Sequence, residues 1–206
     1  MKHNYKPFFL LALFLLLAAA ACGTSTSSEP TGSTTIEPAA AGPVGAPTRA
    51  NCPEAPVGAT LFTNAEDGFC LLLPDGYAVD DSLITETGGA ETAVYIDSPL
   101  ASAYPRLFIT VEDANGRSLE EIGAAKAAAI EASSGVAPVW STSLLLAGLP
   151  AHQFDQVPDQ DMSRQLLLVA NGRLYTFTFT PDNPASDAYA DMQTLVNMVT
   201  SSFTLQ

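Results

Sequence analysis

Gln165-Leu-Leu-Leu-Val-Ala-Asn-Gly-Arg-Leu-Tyr-Thr-Phe-Thr-Phe-Thr180 is the stretch whose pattern decides the fold. Asn171-Gly172 sits between two apolar, β-prone runs, and that dipeptide suits a type I′ turn, which needs φ > 0 at both central residues. The spacing predicts an antiparallel hairpin with Leu168 opposite Tyr175 and Leu166 opposite Phe177. Side chains alternate along a strand, so Tyr175, Phe177 and Phe179 share one face and Thr176, Thr178 and Thr180 the other. The aromatic face is predicted to be core, and the threonine face at most half covered.

Upstream of the hairpin, Ala151 to Val157 and Val139 to Leu146 read as strands around a Gly148-Leu149-Pro150 turn, with the single tryptophan, Trp140, in the earlier one. Ser118 and Glu121 form a Ser-x-x-Glu capping box. Leu119, Ile122, Ala125, Lys126, Ala129 and Ile130 follow at helical spacing, and Gly135 suits the helix stop. Arg106 to Glu112 and Thr92 to Asp97 read as strands, with Leu107, Ile109 and Val111 on one face. Asp80 to Glu91, with Gly88-Gly89, reads mostly as loop. Thr60 to Thr63 and Phe69 to Leu73 are the first strands, joined through Glu66-Asp67-Gly68 and stopped by Pro74-Asp75-Gly76. Downstream, Asn183 is expected to cap a last helix with Pro184 at its first position. Ala188, Met192, Leu195, Val196 and Val199 form its apolar stripe.

Several of these pieces, taken in order, resemble the PsbP-like family, whose fold is shared by a photosystem II extrinsic subunit, a Ran-binding nuclear-transport factor and many bacterial lipoproteins. The pieces are Glu66-Asp67-Gly68-Phe69-Cys70-Leu71-Leu72-Leu73-Pro74-Asp75-Gly76-Tyr77, Leu146-Ala147-Gly148-Leu149-Pro150-Ala151, the Asn171-Gly172 hairpin, and a closing helix running into Ser201-Ser202-Phe203. The resemblance implies an α+β fold: an antiparallel β-sheet of about six strands flanked by helices on both sides. It implies a binding or assembly surface rather than chemistry, and it carries over no ligand residues.

The N-terminus speaks to location. Lys2 and Lys6 precede an apolar run of 14 residues from Phe8 to Ala21. That length fits a secretory signal and falls short of the roughly 20 residues a bilayer span needs. Ala19-Ala20-Ala21-Cys22 resembles a bacterial lipobox, with Ala19 where lipoproteins more often carry Leu. An ordinary small-x-small cleavage site fits the same residues, and so does an uncleaved anchor. The chain holds three cysteines, Cys22, Cys52 and Cys70. Lipid on Cys22 leaves an even pair, Cys52 and Cys70, for one disulfide in an oxidising compartment; a free Cys22 leaves an odd thiol. The expected organisation is a signal peptide over 1–21, a tether over 22–51 and one domain over 52–206. The tether is rich in Ser, Thr, Pro, Gly and Ala, and it lacks the large apolar residues that folding requires. About 30 such residues give a root-mean-square span of about 30 Å.

The formal charge is −14 for the whole chain. It becomes −16 once a signal holding Lys2, Lys6 and no acid is removed. Nucleic acid is excluded as a partner, since phosphate binding needs clustered Lys and Arg.

No catalytic constellation stands out. His152 is the one histidine beyond the signal, too isolated for a zinc site. Ser141, Ser143 and Ser163 lack a Gly-x-Ser-x-Gly elbow. Asp155, Asp159 and Asp161 suggest calcium, but the EF-hand glycine and bidentate Glu are missing, so a solvated loop is the plainer reading. Gly88-Gly89 lacks the lysine and helix start of a phosphate loop. Trp140 and Tyr104 suit core packing better than a ligand groove. No catalytic residue, cofactor or metal is expected. The reading is an extracytoplasmic lipoprotein, anchored to the cell membrane through Cys22, that serves as a non-enzymatic module for a protein partner. The alternatives are a small-ligand or metal-binding sensor and, less favoured, a hydrolase.

Overall fold

The computed structural model describes residues 52–80, 92–97 and 105–206. Cys22, the signal and the tether lie outside the described residues, as do Tyr104 and most of the loop read over Asp80 to Glu91. The elements run β1 (Ala59–Asn64), β2 (Phe69–Pro74), β3 (Ala78–Asp80), β4 (Thr92–Asp97), β5 (Arg106–Asp113), α1 (Leu119–Ser134), β6 (Val139–Leu146), β7 (Leu149–Val157), β8 (Ser163–Ala170), β9 (Arg173–Thr180), α2 (Tyr189–Ser202) and β10 (Thr204–Leu205).

The hairpin forms as its sequence dictates. Asn171 and Gly172 have φ of 53° and 79°, and Leu168 and Leu166 oppose Tyr175 and Phe177. Around it grows a seven-stranded sheet in the order β3-β4-β5-β9-β8-β7-β6, each neighbouring pair antiparallel. β1, β2 and β10 make a second, three-stranded sheet. The expected sheet of about six strands is thus one of seven with a smaller sheet beside it. β3 and β10 span three and two residues, too few to show a period in the sequence.

One face of the large sheet carries the main core. Tyr175, Phe177, Phe179, Leu107, Ile109 and Val111 are buried there beneath Met192, Leu195, Val196 and Val199 of α2 and Phe69, Leu71 and Leu73 of β2. Phe203 stands edge-on to Phe177 with ring centroids 5.0 Å apart. The opposite face holds a smaller cluster in which Ile122 and Ile130 of α1 pack on Phe154, Leu167 and Leu174. Helices therefore lie on both faces. Thr176, Thr178 and Thr180 are half-buried, as expected for the less covered face.

α1 starts in the predicted capping box: Ser118 Oγ accepts from the Glu121 N–H, and the Glu121 carboxylate accepts from the Ser118 N–H. These bonds, the backbone one foremost, hold the Glu121 carboxyl below the usual carboxylate range. The start of α2 departs from expectation. Asn183 Oδ1 accepts from the Ala185 N–H at 3.0 Å and the Asn183 carbonyl accepts from Ser186 at 2.8 Å. These bonds close a turn, and the helix begins only at Tyr189. One residue earlier, Asp182 is buried, its carboxylate held by Arg164 and the Gln156 N–H.

Candidate functional site

The predicted acidic cluster separates in space. Asp155 ends a bulged part of β7, where the register with β8 shifts between Phe154 and Val157 and Gln156 has φ of 50°. It pairs with Arg164 Nε at 2.7 Å and accepts both contacts of the Gln153 amide, at 2.9 and 3.1 Å. Arg164 also reaches Asp182 Oδ1 at 3.2 Å and Gln193 of α2 at 3.3 Å. Asp182 is 1% exposed and accepts the Gln156 N–H at 2.8 Å. Asp159 and Asp161 stay on an exposed loop. Among the described residues no group of three or more His, Cys, Asp and Glu is placed to hold a metal ion. Asp155 thus belongs to a polar network that fastens the β7 bulge to the end of β9. Sequence reasoning missed Asp182 and Arg164; the arginine between Ser163 and Gln165, ahead of the apolar run of β8, was the available signal.

His152 is a packing residue. It is 1% exposed, with Nε2 3.2 Å from the Glu120 carboxylate and its ring edge-on to Trp140 at 5.0 Å. Trp140 stacks on Phe154 with an interplanar angle of 7°, which is the core role its sequence suggested. Gly123 presses on this group: a Cβ there would lie 2.3 Å from His152 Nδ1 and 3.0 Å from the Trp140 ring. Ser141 and Ser143 bond each other at 3.1 Å on an edge strand, and His152 is held by Glu120 instead.

Cys52 and Cys70 are joined by a disulfide, with Cα atoms 5.8 Å apart. The bond ties the beginning of the domain to β2. The β1–β2 turn is tied in turn to the large sheet through Asp67 and Arg173, 2.8 Å apart.

Two depressions lie on the surface of the described residues. One, of about 210 Å³, opens on the threonine face between Arg106, Phe108, Thr178, Thr180 and the loop of Asp159 and Asp161. The other, of about 150 Å³, lies between the end of α1, the start of β6 and the β7 bulge, with Asp155 in its wall. Neither joins a nucleophile to a base. No helix among the described residues is long and apolar enough to cross a membrane.

No family model and no curated protein matches the chain. Among solved structures it is similar to cyanobacterial PsbP (CyanoP) from Synechocystis sp. PCC 6803, with a TM-score of 0.50 and 16% identity. The match covers 80% of this chain and all of the other. At that identity the likeness is one of fold: this domain has a PsbP-like α+β sandwich.

Proposed function

We propose that the protein is an extracytoplasmic lipoprotein, anchored through Cys22 and carried on the 22–51 tether, whose folded domain is a non-enzymatic binding or assembly module for a basic protein partner. The observation that carries this reading is the domain's charge balance. Residues 52–206 contain 20 acidic and five basic side chains. Three of the five bases pair with carboxylates, Arg164 with Asp155 and Asp182, Arg173 with Asp67 and Arg106 with Asp97, and Arg117 donates to the Ala114 carbonyl. The remaining surface is acidic, and such a field steers a basic partner into contact while discouraging acidic ones. The PsbP-like fold and the lack of a catalytic constellation among the described residues support a module that binds. The Cys52–Cys70 bridge leaves Cys22 as the odd cysteine, which supports its use as the lipid site.

Affinity purification from detergent-solubilised membranes tests the module. A stoichiometric basic protein, lost at high salt, is the expected result. A co-purifying metal or small molecule without a protein would turn the reading into a sensor. Labelled palmitate tests the anchor: it should enter the wild type and not Cys22→Ser, and a Cys22→Ser protein that remains lipid-labelled would remove the lipoprotein assignment.

A further inference from the structure

We propose that His152 is an acid-sensitive latch: neutral, it holds α1 on the large sheet, and protonated, it lets α1 go. The ring belongs to β7 and is 1% exposed. Its Nε2 lies 3.2 Å from Glu120 Oε1. An ionised carboxylate only accepts, so Nε2 carries the single proton of the neutral ring and Nδ1 keeps a bare lone pair. Nδ1 is buried and has no hydrogen-bond partner. It faces Gly123 of α1, where an added Cβ would lie 2.3 Å away. A Cα–H of Gly123 takes that direction instead, and a lone pair tolerates such a neighbour as a weak acceptor.

A second proton reverses this contact. It would sit on Nδ1, against the glycine backbone, as an N–H with no acceptor, and a buried donor left unmatched on a charged ring is costly. The groups around the ring do not offset that cost. From α1 the facing carboxylate is Glu120, which is 74% exposed, so water screens its attraction. From β6 the ring meets Trp140, whose centroid is 5.0 Å away, and across the ladder on β8 its neighbour is Leu167; neither carries charge. Relief comes from moving α1, the more lightly held helix. It sets Ile122 and Ile130 into the smaller cluster, whereas α2 sets Met192, Leu195, Val196 and Val199 into the main one. The released state binds one proton more than the packed state, so α1 is held above the histidine range and let go as pH falls. Release uncovers Phe154, Leu167 and Leu174 and gives the domain a new apolar surface in acid.

Amide hydrogen exchange of the full-length protein in detergent micelles tests the latch. It is followed by NMR at about pH 7.5 and about pH 5.5, either side of the histidine range, and corrected for the intrinsic pH dependence of exchange. Protection from Ile122 to Ile130 of α1 should fall by about tenfold, because each pH unit below the ordinary imidazole value of about 6.5 raises the proton-bound open population by up to about tenfold. Protection from Leu174 to Phe179 of β9 should stay level and is the internal reference. His152→Gln takes up no proton and should abolish the fall. Glu120→Gln removes the carboxylate's attraction for the imidazolium and should deepen it. Glu120 is exposed, so this second variant reads the latch even where His152→Gln unpacks α1 at both pH values. Equal α1 protection at the two pH values, a fall shared equally by β9, the same fall in His152→Gln, or a Glu120→Gln protein that keeps α1 protected further into acid overturns the proposal.

Discussion

Arg173 Nη2 lies 2.8 Å from Asp67 Oδ1, and through this contact the two sheets are held together by charge as well as by packing. Asp67 belongs to the β1–β2 turn and its side chain is 0% exposed. Its other carboxylate oxygen accepts from the Asn64 amide at 2.7 Å, and its backbone carbonyl accepts the Tyr175 hydroxyl at 3.1 Å. The Gln206 N–H reaches the neighbouring Gly68 carbonyl at 2.8 Å. One turn of the small sheet thus gathers a side chain from β9, the phenol beside it and the chain's last residue.

Removing one member of a buried ion pair strands the other charge. Arg173→Ala should therefore destabilise the domain by about 3–5 kcal/mol. Asp67→Ala should also be costly, while the double variant should lose clearly less than the sum of the two. Urea unfolding of the four proteins measures this. Additive losses would mean that the two side chains act independently.

Tyr175 gives this junction a pH dependence. Burial pushes its phenol above the ordinary tyrosine value; Arg173 pulls it back, and the Asp67 charge pushes it up again. A raised folded-state value means that the folded protein holds this proton more tightly than the unfolded chain does. The associated stability is complete below pH about 10 and is lost as pH rises through the folded value. Tyr175→Phe should cost about 0.5–1.5 kcal/mol at neutral pH through the lost bond to the Asp67 carbonyl. It should also flatten the alkaline fall in stability. Thermal melts across alkaline pH compare the two proteins, and an unchanged alkaline slope in Tyr175→Phe would assign that slope to other groups.

What the sequence revealed and what it hid divide by distance along the chain. The Asn171-Gly172 turn, the Ser118–Glu121 box and the stripe from Ala188 to Val199 are local patterns, each set by residues within a few positions of one another, and all three stand in the structure. Asp182, just before the expected Asn183 cap, gave no local sign of its role, because its partners, Arg164 and the Gln156 N–H, are 18 and 26 residues away. The same applies to Tyr175 and Asp67, 108 residues apart. The second sheet escaped because Thr204–Leu205 is too short to show alternation, and β2 is buried along nearly its whole length rather than on one face. The α1-end cleft is assembled from α1, β6 and the β7 bulge, so no single stretch of sequence could announce it.

Gly123 is needed for its lack of a side chain. An added Cβ meets His152 Nδ1 at 2.3 Å and Cε1 at 2.9 Å, and His152 has no room to retreat because Trp140 stands against its ring. Gly123→Ala should therefore force α1 away from β7, at a cost of about 1–3 kcal/mol despite the better helix propensity of alanine. Ala124, next along α1 and exposed, is the control: Ala124→Ser should change stability by less than about 0.5 kcal/mol. Denaturant midpoints of both variants decide it, and a stabilised Gly123→Ala protein would show that α1 tolerates displacement.

The two faces of β9 provide the sharpest test of the fold. Phe177 is 0% exposed, opposes Leu166 and Ile109 on its neighbouring strands, and stands edge-on to Phe203. Truncating it leaves a cavity between the large sheet and α2 that rigid strands on both sides cannot close. Phe177→Ala should cost about 3–5 kcal/mol. Thr178 points the other way, half-buried beside the depression that contains Phe108, in a part of the face to which α1 contributes no residue of its cluster. Thr178→Ala should cost less than about 1 kcal/mol. Chemical denaturation of the full chain measures both. Equal losses would mean that the threonine face is packed as tightly as the aromatic one. A Phe177→Ala loss under about 1 kcal/mol would place the core on the wrong side of the sheet, because a fully buried aromatic ring cannot be removed from a packed interior at so small a cost.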